Sequence, residues 1–280
     1  MKKIDLPVSF AFRRVHSLIG FFLTLFLFEH FMTNSLAAYF FNKGNFFIKM
    51  VNLLQSTPYL HFIEISLIGI PIMFHLVFGV QYILGSENNA SKTDGSRPSL
   101  LYARNKAYVW QRITAVFIGV FIVFHVAQMR FINYPKKVSL NNQMFFLVKI
   151  KEDKLTNEIL NNIGGIHVKK SAILSNESLL KVYNEFKLKS DEMIAMTNES
   201  GKAIFLVVRN VLKNPVMVIL YTLFVISASY HALNGFWTFL ISWGAIISIR
   251  YQDLARKFCF SLLLIIMFLG LLSVWSSFLY

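Results

Sequence analysis

Four histidines lie inside four different apolar segments of this chain. They are His30 in FLTLFLFEHF, His75 in IGIPIMFHLVFGV, His125 in VFIGVFIVFHV and His231 in VISASYHALNGFW. An ionisable side chain at bilayer depth is energetically costly, so it indicates a functional role by default. Four of them, one in each segment, make an even number of potential metal ligands.

The composition is that of an integral membrane protein. Of the 280 residues, 55% are hydrophobic, only 15% are charged, and 29 are phenylalanine. A soluble domain with this composition would not stay in solution. The 28 Lys and Arg residues outnumber the 14 Asp and Glu residues, but a membrane protein collects basic residues at lipid headgroups. We therefore expect contact with the lipid bilayer and no nucleic-acid partner.

Five apolar stretches reach the length of about 20 residues that a helix needs to cross the hydrocarbon core. They are residues 17–39, 61–84, 109–133, 215–240 and 257–279. The predicted fold is an all-α integral membrane protein, a bundle of five transmembrane helices with a small polar insertion between helices 3 and 4. Arg13 and Arg14 before the first stretch, with Glu29 and His30 inside it, favour a retained span over a cleaved signal peptide.

The chain is thereby divided into three regions. Residues 1–133 hold transmembrane helices 1 to 3, residues 134–212 form a water-facing outer insertion, and residues 213–280 hold helices 4 and 5. The insertion contains most of the acidic residues and a Gly164-Gly165 turn signal. Its short helices or strands are not assignable from the pattern.

Basic residues in the short segments predict the orientation. With the N-terminus inside, the inner face collects Lys2, Lys3, Arg13, Arg14, Lys92, Arg97, Arg104, Lys106, Arg112, Arg250, Arg256 and Lys257. The short outer loop between the first two spans holds Lys43 and Lys49. The positive-inside rule therefore predicts a cytoplasmic N-terminus, with the insertion and the C-terminus outside.

The four histidines sort into two depths on this orientation. Counted along the helix rise from the inner boundary, His30 and His125 lie at or beyond the midplane on the outer side. His75 and His231 lie nearer the inner end of their spans. This predicts an outer pair and an inner pair.

Glycines support the inner pair. Gly79 follows His75 by four residues, and Gly235 follows His231 by four residues. A residue at that spacing shares the helix face, and glycine there lets a flat porphyrin approach the backbone.

Two non-covalent haem b groups fit this arrangement. The single cysteine, Cys259, excludes a disulfide, a cysteine-ligated iron–sulfur cluster and the C-x-x-C-H haem attachment. A lone transmembrane histidine is often only an interhelical hydrogen-bond donor, and this alternative applies to each histidine taken singly. Zinc or copper sites normally gather their ligands at one depth with a carboxylate or thiolate, whereas two depths favour two separate centres.

Five further residues are candidate haem-propionate partners. Arg13, Arg14 and His16 lie at the inner boundary, where they suit the propionates of an inner haem. Arg112 is similarly placed at the inner start of the third span, and Arg130 lies toward its outer end. Membrane anchoring is the alternative for the inner cluster, and snorkelling to headgroups is the alternative for Arg130.

Several short runs carry a resemblance to a known family. The runs FRRVHSLIG, FHLVFGV, VWQRITAV, FHVAQMR and YHALNGFWTF resemble the di-haem cytochrome b membrane-anchor subunit of bacterial succinate dehydrogenase and fumarate reductase, in its five-span, single-subunit class. The resemblance covers the five spans and the loops on their inner side. The insertion after Tyr134 departs from it, because it is much longer than the family's usual connection.

The resemblance implies a function and a location. It implies an anchor in the bacterial inner membrane with two bis-histidine haems b, bound to an iron–sulfur subunit and a flavoprotein subunit and exchanging electrons with menaquinone. It assigns the axial positions to His30, His75, His125 and His231, in the same two pairs. Both directions, succinate oxidation and fumarate reduction, occur in this family.

The chain itself has no flavin fingerprint and no cluster ligands, so we do not expect it to act on succinate alone. Two alternatives stay open. One is the cytochrome b subunit of another quinone-linked enzyme, such as a formate dehydrogenase or a hydrogenase. The other is a haem-free transporter that uses its histidines as a proton relay.

A carboxylate is a candidate for proton exchange with the quinone. Glu64 precedes His75 by eleven residues, so at about 100° per residue it returns to within about 20° of the same face, nearer the outer side. A partly buried carboxylate there suits the proton uptake and release of quinone chemistry. The alternative is a hydrogen-bonded carboxylate near the outer headgroups. Glu29, adjacent to His30, points about 100° away from it and is the weaker candidate.

Overall fold

The structure is a computed structural model that describes residues 7–38, 40–87, 90, 94–95, 99–100, 102–140, 142–169 and 177–279. Four of the basic residues that predict the orientation lie outside the described residues: Lys2, Lys3, Lys92 and Arg97.

The described residues form helices and one small sheet. The helices are α1 Val8–Ser35, α2 Asn45–Gln55, α3 Leu60–Leu84, α4 Ala103–Ile132, α5 Lys154–Ile163, α6 Glu177–Glu185, α7 Ser200–Leu212, α8 Pro215–Ser242 and α9 Ile249–Leu279. The strands are β1 Lys136–Leu140, β2 Gln143–Lys151, β3 His167–Lys169 and β4 Glu192–Thr197.

In the described part of the chain, five helices are long and apolar enough to cross a membrane: α1, α3, α4, α8 and α9. They confirm the predicted fold class. Three of them, α1, α4 and α9, begin several residues before the predicted spans. Charged and polar residues such as Arg13 and Arg14 continue these helices beyond the apolar stretch, so hydropathy alone underestimates their length.

Two of these helices contain a π-helical segment. In α3 it covers Ile65–Gly69, and Ile70 donates its backbone N–H to Ile65 O, five residues earlier. Pro71 follows directly; its ring has no N–H and clashes with the carbonyl four residues before it, which disfavours regular α-helix at this point. In α4 the π-helical segment covers Ala127–Ile132, immediately after His125 and Val126.

The chain divides into two compact units. The first unit comprises Met1–His30, His61–Ile122 and Leu223–Phe268. The second unit comprises Phe31–Leu60, Val123–Thr222 and Leu269–Tyr280. Three of the four span histidines belong to the first unit, and His125 belongs to the second.

The second unit is built around a four-stranded antiparallel sheet with strand order β1-β2-β4-β3. Helices α2, α5 and α7 contribute to its larger apolar core, in which Phe47, Met193 and Phe205 are almost completely buried. A smaller cluster of Val138, Leu147 and Ile194 packs with Val182 of α6. The polar insertion is therefore folded, and it shares its larger apolar core with α2.

The loop between the first two spans takes part in this core through α2. A Cβ on Gly201 of α7 would lie 2.4 Å from Ile48 O of α2, a distance that only glycine permits. Asn52 fixes the contact, because its side chain accepts from Gly201 N at 2.7 Å and donates to Glu199 Oε2 at 2.9 Å. The connection that the sequence presents as a plain loop is thus a packed helix.

Candidate functional site at the span histidines

His75 of α3 has one ring nitrogen engaged by the backbone of α1. Its Nδ1 lies 3.3 Å from His16 O. A carbonyl oxygen can only accept, so this contact requires the hydrogen on Nδ1. In the neutral ring Nε2 then carries a free lone pair, which is the form that binds a metal.

His231 of α8 is held in the same way by α4. Its Nδ1 lies 3.2 Å from Gln111 O, and the Gln111 side chain donates to His231 O at 3.0 Å. Asn234 in turn donates to Gln111 Oε1 at 2.7 Å, which fixes the amide. No group among the described residues hydrogen-bonds to Nε2 of His75 or His231, so both nitrogens are available.

The structure brings these two histidines together, with a third beside them. The rings of His75 and His231 lie 6.1 Å apart, edge to face at 86°. The ring of His16 stacks on His75 at 3.9 Å and 7°. The first unit therefore holds three imidazoles in one cluster.

Glycines surround this cluster. A Cβ on Gly20 would lie 3.0 Å from His75 Cε1, and one on Gly79 would lie 3.6 Å from His16 Cε1. A Cβ on Gly235 would lie 3.5 Å from Gln111 Nε2. A larger residue at position 20 would therefore require the His75 ring to shift, whereas a Cβ at position 79 or 235 would make only ordinary van der Waals contact.

Three buried polar atoms of α1 and α3 lack a hydrogen-bond partner among the described residues: Arg14 Nη1, His16 Nδ1 and Tyr82 Oη. Arg14 stacks over Trp243 at 5.7 Å, and Tyr82 packs edge-on against His16 at 5.2 Å. Buried donors without acceptors are unfavourable. They fit a bound group with anionic oxygens, and the carboxylates of a haem are such oxygens.

The other two arginines predicted at the inner boundary have different partners. Arg13 is exposed and donates to Ser9 O in its own helix. Arg112 donates to Ser86 Oγ and Glu87 O at the end of α3, and it lies over the Tyr108 ring at 4.6 Å. The structure therefore places His16 at the histidine cluster and Arg14 over the Trp243 ring, while Arg112 connects α4 to the end of α3.

His125, in the second unit, contacts a tyrosine instead of a carbonyl. Its Nδ1 lies 3.1 Å from Tyr221 Oη, and Tyr221 donates its own hydrogen to Gln128 Oε1 at 2.8 Å. The phenol oxygen can therefore accept from Nδ1, and in that tautomer of the neutral ring Nε2 carries the lone pair. Arg130, in the π-helical segment that follows, lies over the Tyr134 ring at 4.8 Å.

His30 lies near the boundary of the first unit. Its ring packs against Phe26, one turn earlier in α1, at 5.5 Å. Its outer membrane depth and its pairing with His125 stay predictions.

Glu64 lies at the start of α3 and pairs with His61. Its Oε2 is 3.3 Å from His61 Nδ1, and about a third of the side chain (32%) is exposed. The π-helical segment separates Glu64 from His75, so the angle calculated at 100° per residue does not apply between them.

Several residues that contact the span histidines were not predicted from the sequence, although the histidines themselves were singled out. Gly20 was detectable, because it follows His16 by four residues, the spacing that drew attention to Gly79. Tyr82 and Tyr221 gave no signal, since their contacts join helices remote in sequence. Within the described part of the chain, no three His, Cys, Asp or Glu side chains form a group that could hold a metal ion alone. A haem brings four nitrogen ligands of its own and needs only two from the chain.

The comparisons with known proteins agree with the motifs. The chain is 23% identical over 269 residues to a protein of Bacillus subtilis (strain 168) named succinate dehydrogenase cytochrome b558 subunit, and the match covers 96% of each chain. No family model and no solved structure matches. The resemblance predicted from the sequence is therefore confirmed along nearly the whole length.

Proposed function

We propose that this chain, a homologue of the succinate dehydrogenase cytochrome b558 subunit, is the cytochrome b subunit of a succinate:quinone oxidoreductase. In this proposal it anchors the flavoprotein and iron–sulfur subunits to the membrane. It passes electrons through two bis-histidine haems b to or from a quinone, for which the family resemblance implies menaquinone.

One observation carries the proposal. His75, His125 and His231 each have Nδ1 within hydrogen-bond distance of an oxygen acceptor, which leaves Nε2 as the lone-pair nitrogen. Haem-binding and metal-binding histidines are typically held in this way, because the second hydrogen bond fixes the tautomer and the ring orientation. Three histidines with the same arrangement, on three different spans, support a common role as axial ligands.

In this proposal different residues of the chain bind the iron, the propionates and the ring of each haem. His75 and His231 hold the inner haem, and His30 and His125 hold the outer one. Arg14, His16 and Tyr82 supply buried donors for propionate oxygens, while Gly79 and Gly235 keep space for the ring. Two imidazoles on one iron leave no open position, so the bound haem supplies one-electron transfer and not oxygen chemistry.

We further propose the orientation given by the basic segments, in the bacterial inner membrane. The N-terminus is cytoplasmic, and the insertion and the C-terminus lie outside. The inner loops are short and basic, and Arg250, Arg256 and Lys257 at the start of α9 face that side. A surface of this kind suits docking of a soluble iron–sulfur subunit, with the flavoprotein beyond it.

The inner segments are basic and too short to fold as a domain of their own, so we expect them to bind the soluble iron–sulfur and flavoprotein subunits. Mild detergent extraction is therefore expected to co-purify succinate dehydrogenase activity with this chain. An affinity tag on the chain, followed by an assay with an artificial dye, tests this. Recovery of a stable cytochrome without associated subunits would count against the proposal. Co-purification of a formate dehydrogenase or hydrogenase activity would favour the other quinone-linked family.

Glu64→Gln is expected to slow electron exchange with quinone while both haems and the dye-linked succinate reaction remain. The substitution preserves shape and removes the ionisable group, so it separates proton exchange from haem binding. Glu185→Gln is the matched control, since Glu185 is an exposed carboxylate of the insertion, paired with Lys136. Unchanged quinone activity in Glu64→Gln would remove Glu64 from the mechanism.

A further inference from the structure

Helix α2 has apolar side chains on two opposite faces. Phe47, Ile48 and Val51 are buried in the core of the second unit. On the other side, Phe46 is 47% exposed and Leu53 is 65% exposed. A helix on the surface of a soluble domain normally turns polar residues outward, so the second apolar face requires an explanation.

The outward face lines a groove. A cavity of about 310 Å³ is bounded by Leu36, Phe46, Lys49, Met50 and Leu53. Four of these five side chains are apolar and one is a cation. At about 100° per residue, Lys49 lies within about 60° of both Phe46 and Leu53 along the helix, so its charge borders the apolar strip.

The chain holds this groove close to the bilayer. Leu36 directly follows the last residue of α1, and α2 ends only a few residues before α3 begins at Leu60. Both neighbours of α2 are therefore candidate membrane spans. Two further apolar side chains near this groove in the sequence are exposed, Met32 of α1 at 42% and Phe40 at 63%.

We propose that α2 is an interfacial helix that binds a phospholipid of the leaflet on the insertion's side. The acyl chain occupies the groove between Leu36, Phe46 and Leu53, and the phosphate pairs with Lys49. An apolar face bordered by a lysine is the pattern of helices that lie in the headgroup region, where the lysine stem covers apolar surface and its ammonium reaches the phosphate. The bound lipid then forms part of the contact between the folded insertion and the membrane surface. This inference needs only that the chain spans a membrane and does not depend on the proposed electron-transfer function.

Site-directed spin labelling tests the depth of α2. The chain's one cysteine, buried Cys259, is replaced by Ala, and a nitroxide is attached at Leu53→Cys. The matched control is Met144→Cys on β2, which is 50% exposed and lies in the insertion's sheet. The protein, purified with whatever subunits accompany it, is reconstituted into quinone-free vesicles of phosphatidylglycerol and phosphatidylcholine. Accessibility to oxygen, which concentrates in lipid, is compared with accessibility to a water-soluble nickel complex.

The oxygen-to-nickel ratio is expected to be several-fold higher at position 53 than at position 144. Phe46→Cys provides a second site on the same face and should behave like position 53. A ratio at both sites equal to that at position 144 would overturn the proposal, because the helix would then face water. Low accessibility to both reagents would also overturn it, because another protein surface or a second copy of the chain would then cover the groove.

Lys49→Gln tests the phosphate contact separately. The native chain is expected to retain phosphatidylglycerol preferentially over phosphatidylcholine after detergent exchange, as measured by mass spectrometry of the bound lipid. The substitution should reduce that preference several-fold while the label at position 53 stays lipid-exposed. An unchanged preference in Lys49→Gln would overturn the assignment of Lys49 to the phosphate.

Discussion

Alanine at His75 or His231 is expected to abolish the inner haem and leave the outer one, because a bis-histidine iron needs both imidazoles. Alanine at His30 or His125 is expected to do the reverse. Each variant is therefore expected to lose one haem completely and to keep the other. Redox titration of the difference spectrum in the four variants measures which component disappears.

His61→Ala is the matched control for these variants. His61 is an exposed histidine at the start of α3, paired with Glu64, and its removal should leave both spectral components in place. If His30→Ala and His75→Ala removed the same component, the division into an outer and an inner pair would be wrong. Retention of both haems in His231→Ala would contradict the role of the His75 and His231 cluster.

Tyr221→Phe is expected to weaken binding of the outer haem and to raise its midpoint potential. The Tyr221 oxygen accepts the hydrogen of His125 Nδ1, and this bond makes the ring a stronger electron donor to the metal. Loss of such a partner typically costs about tenfold to a hundredfold in metal affinity. A weaker donor also stabilises ferric iron less, so the potential rises. Haem content and potentiometric titration measure the two effects.

Tyr82→Phe provides a comparison at the other cluster. Tyr82 packs against His16, so its substitution should affect the inner haem and leave the outer potential unchanged. A general loss of packing would lower the content of both haems in both variants without a selective shift. Unchanged potential and content of the outer haem in Tyr221→Phe would contradict the assignment of Tyr221 as a positioning residue.

The five spans and the class of fold were predictable because their signal is local. An apolar stretch long enough to cross a bilayer is recognisable in a short window of the sequence, and each of the five predicted stretches corresponds to one of the five long apolar helices. The histidines were found for the same reason, since an ionisable residue inside such a stretch is conspicuous. The glycines at four-residue spacing were found because helical periodicity relates them directly to a histidine.

What sequence reasoning missed depends on contacts between distant segments. The contacts of Gln111 with His231 and of Tyr221 with His125 join residues about a hundred positions apart. No local sequence pattern indicates such contacts. The sheet of the insertion has short strands, with β2 the longest at nine residues, and its pairing brings β4 between β2 and β3. The π-helical segment at Ile65–Gly69 also departs from 100° per residue, so the angle between Glu64 and His75 does not follow from their spacing in the sequence.

A reduced-minus-oxidised absorption spectrum of the purified protein, with haem quantified per chain, tests the central claim most directly. Two non-covalent haem b groups per chain, with b-type absorption bands, are the expected result. A flat spectrum would contradict the account and leave the histidines to a haem-free role such as a proton relay.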